Sequence, residues 1–196
     1  MAHYIGCMAQ EMGYRARPSG IGFRVGESST VQERVLDFVM DNAGAALTES
    51  MIREHLGLPK SSINRALSEI TAQGLVGVTA VGRTLVYRMD PGDPLIHHLK
   101  IARAIARARA ALTPVIDLVD LAVLFGSASR GTDTAGSDLD LFVVTSDVDS
   151  VLAALARIEG VQPVVVTPGE HMQMIAEGGT FARAVQDGIR LGGRRE

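Results

Sequence analysis

The sequence predicts an α/β fold in two modules, and three observations carry that prediction. In residues 31–73 apolar side chains recur at helical spacing, and two β-rich runs around a glycine turn follow at 75–80 and 84–88. In the second half, apolar-rich runs at 118–125, 139–144 and 161–167 alternate with helical stretches. That order suits a small mixed sheet with helices packed on it. Between the halves, Asp90-Pro91-Gly92-Asp93-Pro94 breaks both patterns and reads as a hinge. The expected organisation is an arm or linker over 1–29, an α+β module over 30–90, a bridging helix within 91–116, and a mixed-sheet module over 117–196.

Each element has a local reason. Val31, Val35, Leu36, Phe38 and Val39 share one helical face, which ends near Asn42-Ala43-Gly44. Thr48 offers an N-cap to a second helix. Gly57-Leu58-Pro59 is a tight turn, and Pro59 pre-sets the start of a third helix running to about Gln73, with Ile63, Leu67 and Ile70 inward. Gly82-Arg83 turns the hairpin. Residues 95–111 form a long helix with Lys100, Arg103, Arg107 and Arg109 and no acid between Asp93 and Asp117. Its basic stripe either tracks phosphate or is the solvated face of an ordinary bridging helix; arginine's helix propensity favours the second. Helices are expected at 148–158, 169–178 and 181–187. Residues 1–29, with Gly13, Pro18, Gly20, Gly22 and Gly26 beside Arg15, Arg17 and Arg24, show no helical or strand period.

Three helices with a short turn between the second and third, closed by a hairpin, resemble the winged helix-turn-helix of ArsR- and MarR-like regulators. Residues 58–67 and Gly74-Leu75-Val76 carry the likeness. In such modules the third helix enters the major groove by its N-terminal end. The resemblance therefore implies that Lys60, Ser61, Ser62, Asn64 and Arg65 face double-stranded DNA, with Arg83 at the wing tip. Asn and Arg suit base edges; Lys and Ser suit phosphates. Residues 30–90 carry Arg34, Arg53, Lys60, Arg65, Arg83 and Arg88 against Glu33, Asp37, Asp41, Glu49, Glu54, Glu69 and Asp90. A module with this balance binds DNA weakly as a monomer, so a homodimer is expected.

The segment from Phe125 to Leu141 holds the chemistry. A strand ending in Gly126-Ser127 and turning into a helix presents backbone N–H groups to an anion. Gly126 permits close approach, Ser127 adds a hydroxyl, and Arg130 offers a planar fork to phosphate. Asp138 and Asp140 alternate with Leu139 and Leu141, so on a strand both carboxylates point one way. Two such carboxylates repel unless a cation lies between them. Mg²⁺, or Mn²⁺, takes carboxylate and phosphate oxygens, and the pattern reads as a metal–triphosphate clamp.

This segment resembles the Gly-Ser…Asp-x-Asp motif of the DNA polymerase β-like nucleotidyltransferases, above all their minimal branch, with ten residues between Ser127 and Asp138. Ser129 stands where that branch usually has Ala. The resemblance implies that Gly126 and Ser127 hold the triphosphate of a nucleoside triphosphate while Asp138 and Asp140 hold metal. Active members carry a third carboxylate on a later strand. Here that strand, 161–167, has no acid; Val164, or else Gln162, falls at the position. Glu159, Glu170 and Asp187 are the acids left to substitute. The join of the two modules resembles a group of prokaryotic regulator-like proteins in which the third acid is often missing and a Phe-containing helix precedes a Gly-rich strand, as in 181–185 and 189–193. The expectation is a DNA-binding transcriptional regulator that binds NTP–Mg²⁺ with weak or no transfer. The alternative is an active transferase of NMP to a protein, RNA or small-molecule hydroxyl, possible in a toxin–antitoxin setting, with the winged helix as targeting module.

Bulk properties bound these readings. Of 196 residues 46% are hydrophobic and 21% charged, an ordinary globular balance, and a net charge of -3 excludes a wholly basic nucleic-acid coat. The single Cys7 allows no intrachain disulfide and no Cys-rich zinc site. His97 and His98 are adjacent and fall on different helical faces, which disfavours a paired-His metal site; His171, Met172 and Met174 read as packing residues. No run is long and apolar enough for a membrane span, and the N-terminus lacks a signal-peptide pattern, so a cytoplasmic protein is expected.

Overall fold

The structure is a computed structural model that describes residues 30–193. The arm expected at 1–29 lies outside the described residues. The first helix, α1 (Val31–Asp41), opens on a capping box: the Thr30 side chain accepts from the Glu33 N–H, and the Glu33 carboxylate accepts from the Thr30 N–H. It buries Val35, Leu36, Val39 and Met40. A two-residue strand, β1 (Leu47–Thr48), leads into α2 (Glu49–Leu56), whose N-cap is Thr48 and which ends on Gly57 in the left-handed conformation. Next, α3 (Lys60–Ala72) starts after Pro59 and buries Ile63, Ala66, Leu67 and Ile70. The hairpin β2 (Gly77–Val81) and β3 (Thr84–Arg88) follows, and β1 pairs on the free edge of β3, with Leu47 opposite Tyr87. The sheet order is therefore β1-β3-β2. Two residues are too short a run to show a strand period, so β1 had no sequence signal.

Helix α4 (Pro94–Leu112) starts at the Asp93 cap and belongs to both halves. Ile96 and Leu99 pack into the first core with Val35, Ile52 and Leu67. Ala104, Ala108, Ala111 and Leu112 pack into a second core with Leu124, Leu141 and Val151. At roughly 1.5 Å per residue the helix reaches about 28 Å, enough to serve both.

After α4 the chain makes a 3-10 helix over Thr113–Leu118, so the strand expected from 118 begins only at β4 (Leu121–Phe125). Pro114 accounts for the tighter turn: it has no N–H to continue an α-helix. Then come α5 (Gly126–Ser129), β5 (Leu139–Val144), α6 (Val148–Leu155), β6 (Val161–Val166), α7 (Pro168–Glu177), α8 (Thr180–Gln186) and β7 (Ile189–Gly192). The second sheet has order β6-β5-β4-β7; β5 and β6 are parallel across α6, and the other pairs are antiparallel. Mixed α/β is thus the fold class. Alternation sorts the faces. Leu139, Leu141 and Val143 point to the core shared with α4. Phe142 and Val144 point to the opposite face with Val123 and Val185. The residue before Leu141 on that second face is Asp140.

The basic stripe of α4 is solvated only in its second half, where Arg107 is half-buried and Arg109 exposed. Lys100 and Arg103 are buried, with 6% and 5% exposure. Arg103 donates to Asp37 and Asp41 of α1 and to Asp133 of the loop between α5 and β5. Lys100 donates to the Asp133 carbonyl. The acids that neutralise the stripe come from distant positions, and no helical pattern within 95–111 announces them. Among the described residues no helix is long and apolar enough to cross a membrane.

Candidate nucleotide and metal site

The corner between β4 and α5 is built on Gly126. Its φ is +73°, a region that favours glycine. A side chain here would overlap the Asp140 carboxylate, so the missing Cβ is what lets Asp140 lie against the turn. The turn is held from within. The Ser129 hydroxyl donates to the Gly126 carbonyl (2.9 Å), and the Ser127 carbonyl accepts from the N–H (3.1 Å) and hydroxyl (3.3 Å) of Thr132. No side chain caps the N-terminus of α5. First-turn N–H groups have no acceptor within a helix, so they are left for an anion.

The following loop is docked rather than draped. Gly131, also at positive φ, packs where a Cβ would come within 2.6 Å of the His97 carbonyl on α4. The Ala135 N–H donates to the Asp41 carbonyl (3.1 Å). The loop then delivers Asp138 immediately before β5.

Asp140 stands opposite Phe125 on β4 and opposite Gln162 on β6. Gln162 reaches back and donates from Nε2 to Asp138 Oδ2 at 3.2 Å. Asp138 and Asp140 thus lie on one side of the sheet, beside the glycine-serine corner. Electrostatics agrees: the Asp140 carboxyl is pushed above its ordinary range, first by burial and then by the negative charge of Asp138, while Arg130 pulls it down. Arg130 is exposed and Ser127 half-buried, at the same corner.

A third carboxylate is not found there. Among the described residues no cluster of three or more His, Cys, Asp or Glu side chains is placed to hold a metal. Of the two positions weighed from sequence, Val164 faces Phe142, and Gln162 is the one beside the acids. Strand register decides this, and the parallel register of β6 is not written in its apolar run. Glu170 is committed elsewhere: it caps α7 through the N–H and hydroxyl of Thr167, and those hydrogen bonds hold its carboxyl below the usual range. The donor set nevertheless fits a hard divalent cation shared with phosphate oxygens. Two repelling carboxylates gain from a cation, and Mg²⁺ commonly uses one or two carboxylates with substrate phosphates.

Residues 104–168 match the nucleotidyltransferase domain family. That span runs from the middle of α4 to the start of α7 and includes the Gly126–Asp140 corner. No curated protein matches the chain. Among solved structures, the crystal structure of Pseudomonas aeruginosa HmgR is similar at 20% identity with a TM-score of 0.30, over 50% of this chain and 41% of that chain. The chain thus spans less than half the length of that protein. Beyond the matched span, β7 adds an edge strand beside β4, and α7 and α8 pack on the second face of the sheet through Met174 and Val185.

Sequence reasoning missed the neighbours of the acid pair on that face. Phe125, Phe142 and Phe181 are three of the chain's five phenylalanines, and they converge beside Asp140. Phe125 and Phe142 flank the motif on strands whose alternation places them with Asp140; that much was available. Phe181 comes from α8 and has no such signal.

The residues expected to face DNA are partly gathered. Lys60, Asn64 and Arg83 line a shallow groove of about 370 Å³ with Thr48, Glu49 and Ser50. Glu49 pairs with Arg53 (3.4 Å) and Lys60 (3.8 Å), which offsets positive charge in the groove. Ser61 is exposed and Ser62 half-buried at the start of α3. Arg65 pairs with Glu69 on its own helix at 3.1 Å, an exposed ion pair of small worth that a phosphate can displace.

Proposed function

We propose that the protein is a DNA-binding regulator whose nucleotidyltransferase-like domain binds an NTP–Mg²⁺ complex and transfers little or none of it. The carrying observation is the packing of Asp140 into the space left by Gly126, with Asp138 beside it and the neutral Gln162 across the strand. In this reading Gly126, Ser127 and Arg130 receive the triphosphate, and Asp138 and Asp140 hold the cation. The cation, Mg²⁺ or Mn²⁺, would neutralise charge on the phosphates. Gln162 neither ligates as strongly as a carboxylate nor takes a proton from an attacking hydroxyl, so the site favours holding over reaction.

The N-terminal unit, α1 to β3, supports the other half of the proposal. Its element order is that of a winged helix, and the Lys60 end of α3 is open beside the Arg83 turn. DNA binding through Lys60, Ser61, Ser62, Asn64, Arg65 and Arg83 follows, as a homodimer.

Two experiments test the reading. Mg²⁺ with NTP is expected to raise the melting temperature, and D138A with D140A to abolish the rise; incubation with labelled NTP is expected to leave acceptors unlabelled. Absence of any shift with every NTP contradicts nucleotide binding, and labelled acceptor contradicts the holding role. For DNA, a duplex carrying the chain's own promoter region is expected to bind in a salt-sensitive manner, about tenfold more weakly with Asn64→Ala. Equal binding by that variant contradicts the placement of α3 in the groove.

A further inference from the structure

We propose that the aromatic ledge beside the acid pair, formed by Phe125, Phe142 and Phe181, is a stacking site for the base of the bound nucleotide. The inference rests on the nucleotide reading above and adds to it a base-binding subsite and the residue whose ring is open to a base, Phe181.

Strand geometry fixes the place. Phe125 is the direct cross-strand neighbour of Asp140, so both side chains leave the sheet on one face. Phe142 follows Asp140 by two positions on β5, roughly 7 Å further along the same face. Helix α8 sets Phe181 over both: its ring lies 5.6 Å from Phe125 at 90° and 6.1 Å from Phe142 at 66°. His171 of α7 closes the far side, 5.5 Å from Phe142.

Burial shows which ring is available. Phe142 is fully buried and forms the floor, and Phe125 is half-buried. Phe181 is 42% exposed, at the rim. Helix α7 buries none of its residues, and Met172 and Ile175 stand exposed on it. The open part of the ledge is therefore its rim at Phe181.

Chemistry selects the occupant. An apolar aromatic surface that starts at the cross-strand neighbour of Asp140 and continues to Phe181 suits a molecule with an aromatic part joined to an anionic part that brings its own cation. A nucleoside triphosphate chelated to Mg²⁺ has that form. A nucleic-acid strand fits less well, since its single diester phosphates do not chelate Mg²⁺ as a triphosphate does. Every base offers a π-face, so stacking gives affinity for nucleotides over bare polyphosphate with little discrimination among bases.

The chain has no tryptophan, so Phe181→Trp gives a single fluorescent reporter at the ledge. With Mg²⁺ present, ATP is expected to quench it and inorganic tripolyphosphate is not. In calorimetry the wild type is expected to bind ATP at least about fivefold more tightly than ribose 5′-triphosphate, which lacks the base. Phe181→Leu keeps apolar packing and removes the flat ring; it is expected to melt like the wild type, to lose the advantage of ATP, and to bind tripolyphosphate unchanged. Equal affinity for ATP and ribose triphosphate, with tripolyphosphate still bound, overturns the ledge and leaves the phosphate–metal site standing. Failure of all three ligands to bind overturns both. Metal-independent binding of single-stranded oligonucleotide that is lost in Phe181→Leu also overturns the proposal.

Discussion

Arg103 donates to the Asp133 carboxylate across 3.1 Å, and both side chains are almost wholly shielded from water. The same guanidinium donates to Asp41 (2.6 Å) and Asp37 (3.3 Å) on α1, so one cation ties α1, α4 and the loop that carries Asp138. Asp133 Oδ1 has no hydrogen-bond partner, which leaves Arg103 as its main compensation. Arg103→Ala is therefore expected to cost about 3 kcal/mol, because breaking a buried pair strands the remaining charge. Asp37 and Asp41 are partly exposed and add little, since water relieves them. Urea unfolding measures this; a loss below about 1 kcal/mol would show that the cluster does not hold the two halves together.

Gly126→Ala attacks the corner itself. The substitution meets a positive φ, at about 1–2 kcal/mol, and its methyl displaces the Asp140 carboxylate. A lower melting temperature and loss of the Mg²⁺–NTP shift are expected together. A variant that unfolds at the wild-type temperature and still responds to Mg²⁺–NTP would separate Gly126 from the metal site.

Asp140 gives a pH prediction with a definite sign. Its carboxyl is raised in the fold, by burial first and Asp138 second. A raised carboxyl adds stability at acid pH and loses it as pH rises through the raised value, so at neutral pH its ionisation counts against the metal-free fold. Asp140→Asn is expected to melt higher than the wild type in EDTA at pH 7, with the gap closing below about pH 4. It is also expected to abolish the metal response. A lower melting temperature for the variant at neutral pH would mean that the charge is compensated without metal.

Gln162→Asp supplies a third carboxylate opposite Asp140. Mg²⁺ is expected to bind roughly tenfold more tightly, about 1.4 kcal/mol, and the metal-free protein to melt lower from added repulsion. Calorimetric Mg²⁺ titration reads the first and thermal melting the second. Unchanged affinity would place Gln162 outside the reach of the cation.

The sequence held much of this in local form. Thr48 and Pro59 mark helix starts that the structure keeps, and the period of Leu139-Asp140-Leu141 already set the two faces of β5. What escaped depends on contacts between distant segments. Pairing of β1 with β3 joins Leu47 to Tyr87 and Thr48 to Val86, residues far apart in the chain. The burial of Lys100 and Arg103 depends on acids at 37, 41 and 133. The choice of Gln162 over Val164 depends on the register of a parallel pair, which β6 alone does not specify. Phe181 reaches the site only because α8 folds back over the sheet.

The proposed function requires one cation held between Asp138 and Asp140 with a nucleotide's phosphates. Electron paramagnetic resonance of Mn²⁺ titrated into the protein, with and without a non-hydrolysable NTP, tests this most directly. The expected result is tight binding of Mn²⁺ with the nucleotide present, weak binding without it, and neither in the Asp138→Ala, Asp140→Ala double variant. Mn²⁺ binding that ignores the nucleotide, or that survives in the double variant, would contradict the account.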